Sequence, residues 1–378
     1  MGRFMGVHRR IALTLALGLS FVMPATNVFA AAEPIDGARL QRDLFTFFVQ
    51  LVGDYSGFID EVAPPPPPTD PPLTPPSTIS SGTDGRLTFL LLGMDARDDT
   101  VTRTDTVMVM SLKGDEISAA SIPRDTKRMP IPGGGGAFYP KINSILRMFY
   151  EANGHDLDKA MDSFEAVVEK TMDIEIDYHA AVWFDGFTTL VDQVDDGTGI
   201  KLDIASDIYD ARHHDQPGDS FGVYFPGAAD YRLYAMNPGT QTGDGYCDGK
   251  FKKYADPAKH PETWCRRALP FVRTRHGASD YIRGRHQQQF IAATIDAVDS
   301  SELSGLVSVA MSAARGKWVT NFPITLASAT EMFGKLSNAS LTRSVVFKPS
   351  GYATMIPGQN GIELNVPAVR AWCDEFMS

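Results

Sequence analysis

Cysteine is scarce in this chain, with only three among 378 residues. No Cys-x-x-Cys pair stands near histidines that could complete four ligands, which argues against a structural zinc site. Cys247 and Cys265 bracket a polar loop, and we expect them to close it as a disulfide in an oxidising compartment. The alternative is that these two and Cys373 are all free thiols.

Basic residues are outnumbered, at 35 against 46 acidic ones, which gives a formal net charge of −11. A surface of that sign does not suit binding to a phosphate backbone, so no nucleic-acid partner is expected. Against this acidic background, four arginines crowd into "LPFVRTRHGASDYIRGRHQQQF", residues 269–290. Because the guanidinium fork matches phosphate and carboxylate oxygens in pairs, this concentration indicates an anion-binding site.

Long apolar runs are rare, and the clearest lies near the N-terminus. Arginines come before the apolar residues 11–22, and small residues follow as far as Ala30. This order predicts a signal peptide over residues 1–30. An uncleaved anchor stays open because residues 11–30 carry no charge. Both outcomes predict an exported protein, either secreted or held at the extracellular face of the cell envelope.

Two segments separate the N-terminus from the predicted body. Residues 31–62 carry an apolar stripe at helical spacing and predict a short amphipathic helix that docks on the body or on a membrane surface. Residues 63–85 form a proline-rich linker, with nine prolines in residues 64–76. Such a run favours an extended polyproline spacer.

Alternating strand and helix patterns begin near Arg86. The runs "RLTFLLLGMD", "DTVMVMSL" and "EISAASIP" predict three buried strands, and helical spacing follows over residues 157–171 and 185–194. The alternation predicts an α/β fold, a layered α-β-α domain with a central mixed sheet.

We place this catalytic domain at residues 86–300. Residues 204–262, which are polar, rich in glycine and without a period, are interpreted as an insertion or lid. Residues 301–378 are interpreted as a C-terminal extension packed on the domain.

Charged clusters stand where the predicted strands end and helices begin. In chain order they are GMDAR at 93–97, RTDT at 103–106, SIPRD at 121–125, KIN at 141–143, VRTRH at 272–276 and DYIRGRHQQQ at 280–289. In an open α/β sheet, ligands bind at such a rim. Each cluster alone has a purely structural explanation, such as a turn or a surface ion pair. Together, over residues 86–298, they resemble the LytR-CpsA-Psr (LCP) family of cell-envelope proteins.

The resemblance implies an LCP-like fold and an activity. Members of the family transfer a phospho-glycan from a polyprenyl-pyrophosphate carrier to a hydroxyl of a wall polymer, usually peptidoglycan. The implied partners are therefore the lipid-linked glycan, the wall-polymer acceptor and the membrane surface that holds the lipid. Two alternatives are a pyrophosphatase acting on the same carrier and a non-enzymatic envelope protein that binds lipid carriers or glycans.

The resemblance also assigns roles to residues. Asp95 and Asp105 are expected to hold Mg²⁺, which would bridge the diphosphate oxygens. The expected catalytic residues are Asp95, Asp105, Arg97 and Arg275. The expected diphosphate ligands are Arg103, Arg124, Lys141, Arg273, Arg275, Arg283 and Gln287.

Local geometry supports two of these groupings. If the Val-Arg-Thr-Arg segment is extended, Arg273 and Arg275 point to one side. Helical spacing places Arg283 and Gln287 one turn apart.

One position departs from the usual pattern of the family. His286 stands where the family often has an arginine, and the neighbouring Arg285 could supply that charge instead.

A polyprenyl tail requires an apolar tunnel, because its methylenes are costly to expose to water. The candidate lining residues, which could equally be ordinary core, are Met148, Phe149, Val182, Phe184, Phe187 and Leu190.

Overall fold

The computed structural model describes residues 79, 81–82, 85–95, 101, 103–195, 198–213, 221–235, 247, 250–275, 279–312 and 317–377. The predicted signal peptide, the amphipathic segment, most of the proline-rich linker and Arg97 lie outside these residues. Within the described part of the chain, none of the helices is both long and apolar enough to cross a membrane.

The strands and helices are as follows. The strands are β1 Leu87–Met94, β2 Thr104–Lys113, β3 Glu116–Ser121, β4 Thr126–Lys127, β5 Met129–Pro130, β6 Ala137–Phe138, β7 Tyr178–Val182, β8 Ile200–Ile204, β9 Ile208–His213, β10 Phe221–Phe225, β11 Ala228–Leu233, β12 Trp318–Thr320, β13 Ser340–Val346, β14 Ala353–Met355 and β15 Ile362–Leu364. The helices are α1 Ile145–Ala152, α2 Leu157–Met172, α3 Phe184–Asp195, α4 Ala268–Arg273, α5 Asp280–Ala297, α6 Leu303–Ser312, α7 Leu326–Leu336 and α8 Val366–Phe376.

A six-stranded sheet in the order β12-β7-β1-β2-β3-β13 forms the centre of the fold. Strand β1 pairs antiparallel with β2 and parallel with β7. The outer strands repeat this mixture, since β12 is antiparallel to β7 and β13 is parallel to β3. The predicted central mixed sheet is therefore confirmed.

Helices cover both faces of this sheet because the side chains of its strands alternate. Leu90 of β1 packs into a core with Phe164 of α2 and Val369 of α8. Leu91, the next residue, faces the opposite side and packs in the cluster that includes Ile295 of α5. The two clusters give the α-β-α layering that the sequence predicts.

The predicted domain boundary at residue 300 does not match the central sheet, because both edge strands of the sheet come from residues beyond it. Strands β12 and β13 come from residues 301–378, so this segment supplies parts of the central sheet as well as helices packed on it. Short edge strands leave little periodic signal in a sequence, and their place is set by backbone pairing with β7 and β3.

Regular structure is also present in the predicted insertion, residues 204–262. Strand β9 pairs with β10, and β11 pairs with β8, so the segment forms two small antiparallel sheets. Cys247 is bonded to Cys265, with their Cα atoms 4.6 Å apart. The Cys265 backbone N–H donates to the Tyr224 carbonyl at 2.7 Å, which joins the disulfide to β10.

Candidate active site

A cavity of about 480 Å³ lies over the sheet face that α5 covers. Its lining changes character along α5, from Arg283 and Gln287 at one end to Ile291 and Ile295 at the other. At about 1.5 Å per residue, this stretch of helix measures about 18 Å. The cavity therefore has a charged end and a long apolar body.

Asp95 and Asp105 stand at the charged end because β1 and β2 run antiparallel. Asp95 follows the last residue of β1 and Asp105 lies at the start of β2, and both line the cavity. The Asp95 N–H donates to the Arg103 carbonyl at 2.8 Å and so closes the connection between the strands. A Cβ atom at Gly93 would lie 2.8 Å from Thr106 Oγ1, so this close strand approach requires glycine.

Two arginines hold the Asp105 carboxylate. Arg124 Nη1 donates to Asp105 Oδ2 at 2.5 Å, and Arg283 Nη1 lies 3.7 Å from the same oxygen. Arg283 Nη2 also donates to the Asp105 backbone carbonyl at 3.0 Å. The second oxygen, Asp105 Oδ1, is buried and has no hydrogen-bond partner among the described residues. A buried carboxylate oxygen in this state can accept a donor or bind a cation.

Asp280, in the first turn of α5, organises the arginines from the other side. Its carboxylate lies 3.5 Å from Arg283 Nη2, 3.7 Å from Arg124 Nε and 3.8 Å from Arg275 Nε. Because one carboxylate faces three guanidinium groups, Asp280 keeps them near one another and reduces their mutual repulsion.

Burial and charge shift the two inner arginines in opposite directions. Burial acts to lower the pKa of Arg124, but Asp105, Asp280 and Asp125 outweigh it and raise that pKa above its ordinary value. The pKa of Arg283 is lowered, mainly by burial, although Asp280 and Asp105 oppose the change. Both side chains remain cations at neutral pH, since guanidinium groups keep their proton in proteins.

Arg273 and Arg275 lie nearer to solvent than Arg124 and Arg283. Arg273 Nη2 is 3.6 Å from Asp95 Oδ1, and its guanidinium lies over the Phe184 ring at 4.1 Å from the centroid. The Arg275 backbone N–H donates to Asp210 Oδ2 at 3.0 Å, which fixes the main chain at this point. Both arginines line the cavity, so they are the cations best placed to meet an incoming anion.

The condition that the Val-Arg-Thr-Arg segment is extended is not met. Helix α4 continues through Arg273, and Thr274, with φ −56° and ψ 133°, ends the helix and redirects the chain. The two arginines reach one cavity because the chain turns at Thr274, whereas β alternation plays no part. Helical spacing on α5 is confirmed, since Arg283 and Gln287 line the same cavity.

Three predicted ligands have other positions. Lys141 Nζ pairs with Asp125 Oδ1 at 2.6 Å, and neither Lys141 nor the exposed Arg103 is among the described residues that line the cavity. Arg124 pairs with Asp105, which lines the cavity, but Arg124 itself is not among the lining residues. Arg97 lies outside the described residues.

His286 packs into the interior beside the cavity. Its ring stacks on Phe271 with centroids 4.8 Å apart. Burial, together with the charge of Arg285, lowers the pKa of His286 to about 4, so the ring is neutral at neutral pH. Arg285 itself is exposed and does not line the cavity within the described part of the chain, so it does not supply the missing charge there.

Sequence reasoning missed three polar residues of the cavity, which are Asp210, Arg212 and His213 on β9. Asp210 is almost fully buried, and its Oδ1 accepts the Arg212 N–H at 3.0 Å. These residues belong to the predicted insertion, where no periodic pattern marked a strand. The mixed run "DARHHD" was the available signal, since it combines acids, arginine and histidine as the recognised clusters do.

The apolar body of the cavity matches part of the predicted tunnel. Val182, Phe184, Phe187 and Leu190 line it. The prediction is wrong for Met148 and Phe149, which pack against the core under the opposite face of the sheet. Their positions on α1 follow from helical periodicity, which identifies an apolar face but not the layer that it meets.

A magnesium ion fits the donor chemistry of the charged end. Asp95 and Asp105 line one cavity, and the buried Asp105 Oδ1 has no hydrogen-bond partner among the described residues. Across the described residues, no group of three or more histidine, cysteine or acidic side chains forms a complete metal cage. The two carboxylates are donors of the kind that Mg²⁺ accepts, commonly together with water and substrate phosphates.

Comparison with known proteins identifies the family. The model of the LytR_cpsA_psr family matches residues 72–251 and 265–356. The chain is 29% identical over 215 residues to the polyisoprenyl-teichoic acid–peptidoglycan teichoic acid transferase TagT of Bacillus subtilis (strain 168), covering 55% of this chain and 51% of that protein. It is 37% identical over 110 residues to the transferase TagU of Bacillus cereus (strain AH820), covering 29% and 32%. The chain thus matches about a third to a half of the length of these relatives.

Solved structures share the fold. The crystal structure of B. subtilis TagV aligns with a TM-score of 0.52 at 20% identity, covering 78% of this chain and 98% of that one. Protein gbs0355 from Streptococcus agalactiae aligns with a TM-score of 0.52 at 15% identity, covering 77% and 88%. The family match spans the strands, both aspartates and the arginine segments of the cavity, and this chain therefore belongs to the LytR_cpsA_psr family.

Proposed function

We propose that this protein transfers a phospho-glycan from a polyprenyl-pyrophosphate carrier to a hydroxyl of a cell-wall polymer such as peptidoglycan. The observation that carries the proposal is a single cavity with arginines and aspartates at one end and an apolar body along α5. A lipid diphosphate has the same two-part chemistry. The names of the relatives, polyisoprenyl-teichoic acid–peptidoglycan teichoic acid transferases, describe a reaction of this class.

The proposed reaction exchanges one phosphorus–oxygen bond for another. The acceptor hydroxyl oxygen attacks the phosphorus that bears the glycan, and the bond from that phosphorus to the bridging oxygen breaks. The products are a phosphodiester between glycan and wall polymer and a polyprenyl monophosphate, and the hydroxyl proton passes to solvent or to a nearby base. Negative charge grows on the departing phosphate, so cations fixed in advance lower the barrier.

The arginines would divide this work between them. Arg273 and Arg275, which line the cavity and are the more exposed pair, would bind the diphosphate oxygens. The more deeply buried Arg124 and Arg283 hold Asp105 in place. When bound, Mg²⁺ would be held by Asp95 and Asp105 and would neutralise charge on the phosphate oxygens.

The apolar body would hold the isoprenoid tail. Burial of each methylene stabilises the complex by about 0.8 kcal/mol, so a long tail has to find apolar walls when it leaves the bilayer. Val182, Phe187 and Leu190 provide such walls next to the charged end. We place the reaction at the outer face of the membrane because residues 1–30 have the pattern of an export signal.

A transfer assay with a polyprenyl-pyrophosphate-linked saccharide tests the proposal. The wild-type protein should join the saccharide to a wall-polymer acceptor, and a chelator should stop the reaction. Arg275→Ala should reduce transfer at least about a hundredfold, the usual cost of removing one electrostatic group from such a site. Arg285→Ala is the matched control, because Arg285 is exposed and is not a lining residue.

The products separate the alternatives. Release of a phospho-saccharide that does not depend on acceptor would indicate a pyrophosphatase. Tight lipid binding that is insensitive to the chelator, with no product, would indicate a carrier protein. Full transfer by Arg275→Ala would contradict the proposed site.

A further inference from the structure

The segment from α6 to α7 stands out in an acidic protein. Residues 303–330 contain no aspartate or glutamate, although the chain has 46 acidic residues in total; the first acid of α7 is Glu331, in the middle of that helix. The charged residues of this segment are Arg315 and Lys317, and both are basic. A surface built from it does not repel an anionic layer as the rest of the chain does.

Large apolar side chains are exposed on this segment. Met311, near the end of α6, is 59% exposed, and Leu326, the first residue of α7, is 43% exposed. Phe322 and Ile324, between β12 and α7, are only half-buried. We call the surface formed by Met311, Phe322, Ile324 and Leu326 the α6–α7 face. Helices α6 and α7 contact each other, so these side chains lie on neighbouring elements, and apolar exposure grouped in this way marks an interaction site.

A second cavity of about 310 Å³ opens at this face. Its lining is almost entirely apolar and includes Phe322, Ile324 and Met332. It also includes Ala180, Val182 and Leu190, which line the first cavity as well. The second cavity therefore lies next to the apolar body of the first and shares part of its lining.

We propose that the α6–α7 face rests on an anionic lipid bilayer and that the tail of the lipid substrate passes between the bilayer and the first cavity through the second one. This inference rests on the proposed function for the identity of the substrate, whereas the docking of the face does not. The face shares with a monotopic membrane contact its exposed apolar side chains, and residues 303–330 supply no acid to it. A soluble protein partner would not explain why the apolar surface continues inward to the lipid cavity.

The orientation has a direct consequence for the reaction. The diphosphate would lie at the arginine end of the first cavity, and the tail would extend from there along the apolar lining. The tail would remain in apolar surroundings along the whole path, which avoids exposing its methylenes to water.

Depth-sensitive fluorescence on the full-length protein tests the docking. Leu326→Cys and Met311→Cys, each labelled with an environment-sensitive fluorophore, would be mixed with vesicles of phosphatidylglycerol and phosphatidylcholine. Met355→Cys is the matched control, because Met355 is 60% exposed but lies on β14, outside the α6–α7 face. The labels at 326 and 311 should shift to the blue and be quenched by spin-labelled lipid, and the label at 355 should not.

A second measurement links the face to the substrate. Met311→Glu combined with Leu326→Glu should reduce transfer from a vesicle-embedded long-chain donor about tenfold or more, since two apolar contacts with lipid are replaced by charges. Transfer from a water-soluble short-chain donor should be unchanged, and Met355→Glu should change neither. Failure with both donors in the wild type would refute the proposed function, not the docking. Labels at 326 and 311 as exposed to water as the label at 355 would refute the docking, and a protein partner would then be the better explanation of the face.

Discussion

Replacing Asp105 by asparagine should abolish transfer and at the same time strengthen the binding of a diphosphate when no divalent cation is present. Asparagine keeps the shape of the side chain but removes a unit charge 2.5 Å from Arg124 Nη1 and 3.7 Å from Arg283 Nη1. At an effective dielectric constant near 20, two unit charges 4 Å apart interact by about 4 kcal/mol. The arginines would lose much of this attraction, and an anionic ligand could recover part of it.

The size of each effect follows from the surroundings of Asp105. Removing one partner of a buried ion pair usually costs 3 to 5 kcal/mol. Asp280 stays within 3.7 Å of both arginines, so we expect the free energy of unfolding to fall by only about 1 to 3 kcal/mol. Diphosphate affinity without metal should rise about tenfold or more, at 1.4 kcal/mol for each factor of ten. Transfer should fall about a thousandfold, because Mg²⁺ and the arrangement of the arginines are both affected.

Three assays on the same variant test the reasoning. Calorimetric titration with a short-chain prenyl diphosphate in the presence of a chelator gives the affinity, urea unfolding gives the stability, and the transfer assay gives the rate. Asp230→Asn is the control, because Asp230 forms an exposed ion pair with Lys201 and should change each quantity little. Weaker metal-free binding by Asp105→Asn, or transfer within tenfold of the wild type, would refute the assigned role.

Further substitutions test the supports of the site. Asp210→Asn should lower kcat about tenfold or more with little effect on folding yield, because Asp210 Oδ2 accepts a hydrogen bond from the backbone N–H of Arg275. An unchanged kcat would show that this contact does not position the arginine. Leu190→Trp should raise KM for a long-chain donor but not for a short-chain one, since Leu190 lines both cavities. Equal effects on the two donors would contradict a continuous path for the lipid tail between the two cavities. The pKa of His286 is lowered to about 4, so the unfolded chain takes up this proton at a higher pH than the folded one. Stability from this group is present above about pH 6.5 and is lost as the pH falls toward 4, by at most about 3 kcal/mol. His286→Phe should therefore flatten the urea-unfolding stability over that range, and an identical pH slope in the variant would contradict the assignment.

Local patterns in the sequence were enough to predict the central strands and the main helices. Apolar runs marked β1 and β2, and helical spacing marked α2 at residues 157–171 against the observed Leu157–Met172. The shared cavity position of Arg283 and Gln287 followed from the same spacing. These features depend on neighbours within one turn or one strand, which a sequence displays directly.

Features that depend on distant pairing were missed or misplaced. Strand β12 is only three residues long and belongs to the central sheet because it pairs with β7. Asp210 reaches the site because β9 of the predicted insertion folds next to Arg275. Met148 lies on an apolar helix face, as predicted, but that face meets the layer opposite the cavity.

The sequence by itself determined which chemical groups this protein has and which local elements carry them. It showed two aspartates at strand ends, a concentration of arginines in an acidic chain and enough apolar side chains for a lipid. Only the tertiary structure decided which arginines lie beside Asp105 and which ones face the cavity. Contacts across 178 residues place Arg283 beside Asp105, and they leave Arg273 and Arg275 at the cavity and nearer to solvent. Such contacts depend on how the layers pack, and packing joins residues that no local pattern in the chain relates.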